Sequence, residues 1–172
     1  RGSAGLDLRP RGGRAPGSVG AVLGGVSATY DRPKSIPLTS DGASAADKVK
    51  RGHHRMHCDF AFYVGATREN TRDLGELERL PGICGVKVFM GSSTGNMLVD
   101  DPDTLDAIFR DAPVPIITHC EDTPMITANE EKARARWGDD IPIEQHPLIR
   151  PLEACMKPTR LATSLAGKPR RR

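Results

Sequence analysis

A chain of 172 residues is long enough for one domain. Its apolar share of 37% is low, and its 18 Gly and 14 Pro are many for a globular chain, though short of a low-complexity composition. The formal net charge of +3 rests on the ends. Residues 1–20 set Arg1, Arg9, Arg11 and Arg14 against Asp7 alone, and the last five residues carry Lys168, Arg170, Arg171 and Arg172, so the stretch between is acidic. With 4% aromatics and no basic face on a structured segment, nucleic-acid binding is not expected. No apolar run approaches the ~18–20 residues of a membrane span, and no apolar secretory core opens the chain, so a cytoplasmic protein without membrane contact is expected.

In chain order, residues 1–20 show neither a helical nor a strand period and read as a disordered Gly/Pro/Arg-rich tail. Val26–Tyr30 is a short β-prone run that stops at Asp31-Arg32-Pro33. Ser40–Lys50 reads as a capped helix with Ala43, Ala46 and Val49 at three-residue spacing. Three apolar strand candidates follow, Asp59–Gly65, Gly85–Gly91 and Val114–His119. Their near-continuous apolar character fits strands covered on both faces, as in a parallel sheet. Helical patterns lie between and after them, over Thr71–Leu80, Asp103–Arg110, Ala128–Trp137 and Pro151–Leu165. The alternation is that of an α/β layered or barrel fold. A (β/α)8 barrel takes about 250 residues, so four strands amount to half of one. The fold expected is therefore α/β, a partial (β/α)8 barrel over residues 21–167, about strands 2–5 with their helices, with residues 168–172 as a basic tail.

Two polar residues stand inside these strands. Lys87 lies within Gly-Val-Lys-Val-Phe-Met, where a buried ammonium is costly unless paired, neutralised or covalently changed. His119 ends Ile-Ile-Thr-His, at the strand end that carries the chemistry in parallel barrels, and neutral imidazole is a natural metal ligand. Glu121 and Asp122 follow it and are placed to orient it or to cap the next element. Each residue also has a plain reading, an edge lysine reaching solvent or a hydrogen-bonded rim histidine. His53 and His57 have the i, i+4 spacing of a metal pair, but no HExxH surrounds them and a helix C-terminus favours histidine, which is the preferred explanation. The loop Gly91-Ser92-Ser93-Thr94-Gly95-Asn96 is small and polar, yet lacks a phosphate-binding fingerprint. Cys58, Cys84, Cys120 and Cys155 form no CxxC pair and read as small buried hydrophobes in a reducing compartment. No nucleophile elbow or Ser-His-Asp series is visible.

Residues 59–122, with DFAFYVGATREN, GVKVFMGSSTGNMLVDDPDTLDAIF and PVPIITHCED, closely resemble bacterial dihydroorotase of the amidohydrolase superfamily. A looser resemblance runs from AVLGGVSA near residue 21 through HPLIRPLEAC and LATSLAGK to residue 168. The resemblance implies a metal-dependent (β/α)8 barrel that reversibly cyclises N-carbamoyl-L-aspartate to L-dihydroorotate in pyrimidine biosynthesis. It implies a two-zinc site in which Lys87, carboxylated, bridges the metals and His119 is a ligand. It implies a small-molecule substrate and is compatible with a homo-oligomer. Carboxylation would turn the buried cation into an anion, and paired metals would polarise the amide carbonyl and acidify a bridging water.

The departures are equally specific. The family's first-strand His-x-His pair and its nearby carboxylate-gripping Arg have no counterpart, since residues 1–20 contain no histidine. The family's Met-Pro-Asn-Thr appears as Arg32-Pro33-Lys34-Ser35. A later His ligand and a final-strand catalytic Asp have no match, so no catalytic residue is assigned. Two ligands do not make a two-metal site, and this chain alone is expected to be inactive and poorly soluble through unpaired sheet edges. The abrupt limits of the resemblance and the character of both flanks lead to the expectation of a truncated or frame-shifted reading. The alternatives are another cyclic amidohydrolase, of dihydropyrimidinase or allantoinase type, and a non-catalytic barrel paralogue acting as a structural subunit.

Overall fold

A computed structural model describes residues 13–91, 97–112 and 115–168. The expected tails at 1–12 and 169–172, the loop segment Ser92–Asn96 and the strand start at Val114 lie outside the described residues. Four strands, β1 (Ala28–Asp31), β2 (Asp59–Gly65), β3 (Ile83–Phe89) and β4 (Ile116–His119), form one curled, all-parallel sheet in sequence order. Each parallel crossover passes through a helical segment. These are α2 (Gly42–Gly52), α3 (Leu74–Leu77) and α4 (Pro102–Asp111); α1 (Arg14–Leu23) precedes β1, and α5 (Thr123–Trp137), α6 (His146–Ile149) and α7 (Leu152–Ala166) follow β4.

Local chemistry sets the helix starts. Asp41 accepts the Ser44 N–H at 2.7 Å and closes a capping box on α2. Asp101 accepts from Thr104 N–H at 2.8 Å, with Pro102 opening α4. Asp122 does the same for α5 through Met125 N–H at 3.1 Å. On the helix-covered face, Val64, Val86 and Val88 pack with Leu74, Leu105, Ile108 and Leu165 into one buried cluster. Burying a Val or Leu side chain fully contributes about 1.5–3 kcal/mol each, so this layer holds the sheet. Strand alternation sends Gly85, Lys87 and Phe89 to the opposite face. Among the described residues no helix is long and apolar enough to cross a membrane.

Three segments differ from the sequence expectation. Residues 14–20, expected to be irregular, are the first two turns of α1. Tertiary contacts outweigh the weak local pattern here. Arg14 is buried 2.9 Å from Asp31 and 4.6 Å over the Phe62 ring, and Ser18 Oγ accepts the His57 N–H at 3.2 Å. Conversely, the helix expected over Thr71–Leu80 shrinks to the four residues of α3. The approach to it is taken up by a side-chain-tied turn, in which Asn70 accepts from Thr67 N–H and donates to the carbonyls of Gly65 and Ser40, each at 2.8 Å. The short α6 was not anticipated. The strands also shift, β3 starting at Ile83 and ending at Phe89.

Candidate functional site

The site is built where β3 and β4 end. Their register sets Lys87 opposite Ile117 and Phe89 opposite His119, while β2 places Gly65 beside Lys87. Residues paired across parallel strands share a face, and so do residues two apart on one strand. Lys87, Phe89 and His119 therefore lie on the same face, away from the helices, at the C-terminal ends of adjacent strands. The two residues singled out from the sequence are thus brought together.

Lys87 is 5% exposed, with Nζ 5.0 Å from the Phe89 ring centroid. Burial, reinforced by the positive charges of Arg32 and Lys34, pushes its ammonium pKa down to about 8. Lys34 brings a second ammonium to the same ring, 4.4 Å from the centroid. The His119 side chain is 41% exposed and its ring centroid lies 6.1 Å from that of Phe89. Its Nε2 meets Glu121 Oε2 at 3.0 Å, so with a carboxylate as acceptor Nε2 carries the hydrogen. Glu121 Oε1 in turn accepts from Arg150 Nη1 at 2.5 Å. The strand tip is fixed by backbone too, with Met90 N–H donating to the His119 carbonyl at 2.9 Å. Gly91 passes so close to Glu121 that a Cβ on it would collide with the Glu121 carbonyl. Beside Lys87, a Cβ on Gly65 would collide with the Met97 methyl.

Zinc is implied by the resemblance, and the donor set shows how far this chain goes toward it. Among the described residues no three or more His, Cys, Asp or Glu side chains converge as a metal site. Lys87 and His119 share a face, but the charged neighbours of Lys87, Arg32 and Lys34, are cations, and Glu121 beside His119 is engaged with that ring and with Arg150. The residues present do not fit a complete two-metal centre.

The remaining candidates sit elsewhere. His53 ends α2 as its C-cap and packs edge-on against Phe60, ring centroids 5.9 Å apart. His57 precedes β2, at the strands' opposite end. Cys58, Cys84 and Cys120 are half-buried free thiols, while Cys155 is exposed on α7, contrary to the expectation of a buried hydrophobe. Sequence reasoning missed two features. One is Lys48, 2% exposed, whose Nζ donates to Ser35 O at 2.8 Å and Thr39 Oγ1 at 2.5 Å. The other is the anchoring of Glu121 by Arg150. No local pattern announces either, because both depend on partners far along the chain.

Comparison with known proteins follows the same line. No protein-family model matches the chain. It is 29% identical to a dihydroorotase of Methanosarcina mazei over 141 residues, 81% of this chain and 30% of that one. It is 30% identical to a dihydroorotase of Methanothermobacter thermautotrophicus over 125 residues, 70% of this chain and 27% of the relative. It is 28% identical to an L-hydantoinase of Paenarthrobacter aurescens over 142 residues, 79% and 31% of the two chains. In structure, an L-hydantoinase from Arthrobacter aurescens superposes with a TM-score of 0.84 at 23% identity, over 97% of this chain and 38% of that one. A dihydropyrimidinase from Brevibacillus agri gives 0.70 at 23% identity, over 88% and 33%. The partial (β/α)8 barrel expected from the alternation is thus the fold observed. The chain spans about three tenths of the length of the curated relatives it matches.

Proposed function

We propose that this chain, a partial-length relative of the dihydroorotases and hydantoinases, carries the central strands of a cyclic-amide hydrolase barrel of dihydroorotase type. The reaction is the reversible cyclisation of N-carbamoyl-L-aspartate to L-dihydroorotate. The observation that carries the reading is the placement of Lys87 and His119 on one face, at the C-terminal ends of adjacent parallel strands. That is where a parallel barrel holds its substrate. Lys87, carboxylated, and His119 are the two residues that would face zinc. The described residues add no third donor, so the chain by itself does not turn over substrate. Glu121, held by Arg150, fixes the His119 ring, and Phe89 forms the apolar floor between the two residues.

A second reading, hydantoin or dihydropyrimidine ring opening, is supported by the L-hydantoinase relative, which is nearly as similar as the dihydroorotases. The two are separated by replacing the stretch of the Methanosarcina mazei dihydroorotase that matches residues 59–122 with this chain's residues. Under the proposal the chimera closes N-carbamoyl-L-aspartate to dihydroorotate in the presence of zinc and bicarbonate. A folded chimera that opens hydantoin or dihydrouracil but not dihydroorotate overturns the dihydroorotase assignment. The isolated chain under the same conditions is expected to show no turnover, and turnover would overturn that part of the reading.

A further inference from the structure

Ala45, Lys48 and Gly52, at i, i+3 and i+7, form the buried face of α2, and Lys48 is only 2% exposed. A lysine is among the costliest side chains to bury, so its ammonium must be compensated. Asp31 is the charge that favours it most, but that carboxylate is paired with Arg14 at 2.9 Å. The hydrogen bonds of Lys48 go instead to the loop between β1 and α2, to Ser35 O at 2.8 Å and Thr39 Oγ1 at 2.5 Å. One ammonium thus fastens both ends of the segment Ser35–Thr39. At the bend between them Ile36 is 75% exposed and adds little packing, so the loop is held from beneath, by α2.

Thr39 passes the restraint on to the strand ends. Its N–H donates to Pro33 O at 3.0 Å, and its carbonyl accepts the Gly65 N–H at 2.7 Å. Gly65 is the register partner of Lys87, and Ala66 donates its N–H to Lys87 O at 2.9 Å. Pro33 is buried so close to Gly65 that a Cβ there would lie 3.1 Å from the proline ring. From that fixed point the next residue, Lys34, brings Nζ to 4.4 Å from the Phe89 ring centroid. We propose that Lys48 is a positioning residue, which holds the loop of residues 32–39 at the mouth of the site with Pro33 on Gly65 and Lys34 on Phe89. The role rests on the reading of the Lys87 and His119 face as the site. Lys48 itself lies on the helix-covered side of the sheet and acts through the loop.

NMR of the intact chain with isotope-labelled lysine tests it. Over the Phe89 ring, the Lys34 ε-methylene is expected to resonate upfield of an exposed lysine. Lys48→Met is expected to return that signal most of the way to the exposed position. Thr39→Val keeps the shape of the residue and removes one acceptor, and is expected to move the signal the same way by less. Ile108→Val, in the core cluster and remote from the loop, is expected to lower stability and leave the signal in place. An unmoved Lys34 signal in both loop variants, or an equal movement in Ile108→Val, overturns the role. In the chimera described above, extended back to residue 26, Lys48→Met is expected to lower kcat/KM about tenfold, through KM more than kcat. An unchanged kcat/KM there also overturns it. A chimera without turnover in either form speaks against the assigned reaction alone, and the Lys34 signal of the intact chain then decides the positioning role.

Discussion

Arg14 and Asp31 form an ion pair of 2.9 Å, with side chains only 4% and 13% exposed, between the first helix and the end of the first strand. Burial lowers the Arg14 pKa and Asp31 opposes that effect, so the pair is held by mutual need. Removing either partner of a buried pair strands the other charge, but the carboxylate left by Arg14→Met is the more exposed of the two and keeps the Ser35 hydroxyl at 3.5 Å, whereas the guanidinium left by Asp31→Asn is the more deeply buried. Asp31→Asn is therefore expected to cost about 3 kcal/mol, and Arg14→Met less. Urea unfolding midpoints of the two variants check the order, and a larger loss for Arg14→Met would contradict it.

Lys48 gives a pH signature. Burial pushes its ammonium down to about 8 in the folded chain, while the unfolded group keeps the ordinary value of 10.5. Between these values the unfolded state binds more protons, so this group makes stability rise with pH from about 8 to 10.5. Below about 8 both states are protonated and its contribution is flat. The slope from one such group approaches about 1.4 kcal/mol per pH unit at most. Lys48→Met loses the hydrogen bonds to Ser35 and Thr39, and is expected to flatten the rise relative to the parent. Denaturant unfolding at pH 7, 8, 9 and 10 measures the difference.

Two glycines should respond in opposite directions. Gly17 lies inside α1, and a Cβ there meets nothing within 4 Å. Gly17→Ala should stabilise by about 0.5–1 kcal/mol through helix propensity. At Gly91 a Cβ runs into the Glu121 backbone, which cannot yield without moving the strand tip. Gly91→Ala should destabilise by about 1–3 kcal/mol and shift the His119 ring resonances. Thermal midpoints, with NMR of the histidine, distinguish the two.

Zinc content follows from the donor count. Purified chain equilibrated with excess zinc and then dialysed is expected to retain fewer than two equivalents by elemental analysis. Two tightly held zinc ions per chain would contradict the donor set described for β3 and β4.

The sheet was legible in the sequence because its strands are apolar on both faces. Asp59–Gly65 matches β2 residue for residue, and counting in twos from Lys87 to Phe89, then across to His119, recovers the shared face. Asp41 and Asp122 cap their helices through chemistry confined to four residues, as the sequence allowed for both, whereas the Asp101 cap and the first five residues of α5, before Ala128, were not read from it. What else stayed hidden depends on partners distant in the chain. α1 is anchored by Arg14 on β1 and β2, and Lys48 is buried by a loop nine to thirteen residues away. α3 is short because Thr67 and Asn70 spend the preceding backbone on a turn. The meeting of Lys34 with Lys87 over Phe89 requires β1 and β3 to be placed before it can be seen.

The tip of β4 is fastened by two bonds to the last helix and by a third to Arg150, just before that helix begins. Asp122 donates its N–H to Ala154 O at 2.8 Å and takes Lys157 Nζ at 2.5 Å, while Arg150 grips Glu121. These ties close residues 122–157 into a loop fastened at both ends, with α5 and α6 inside it. Local opening of α7 must therefore release the strand end that carries His119. In native-state hydrogen exchange the amides of β4 and α7 should open together as one cooperative unit, so the firmness of the site is set by a helix that touches none of its chemistry.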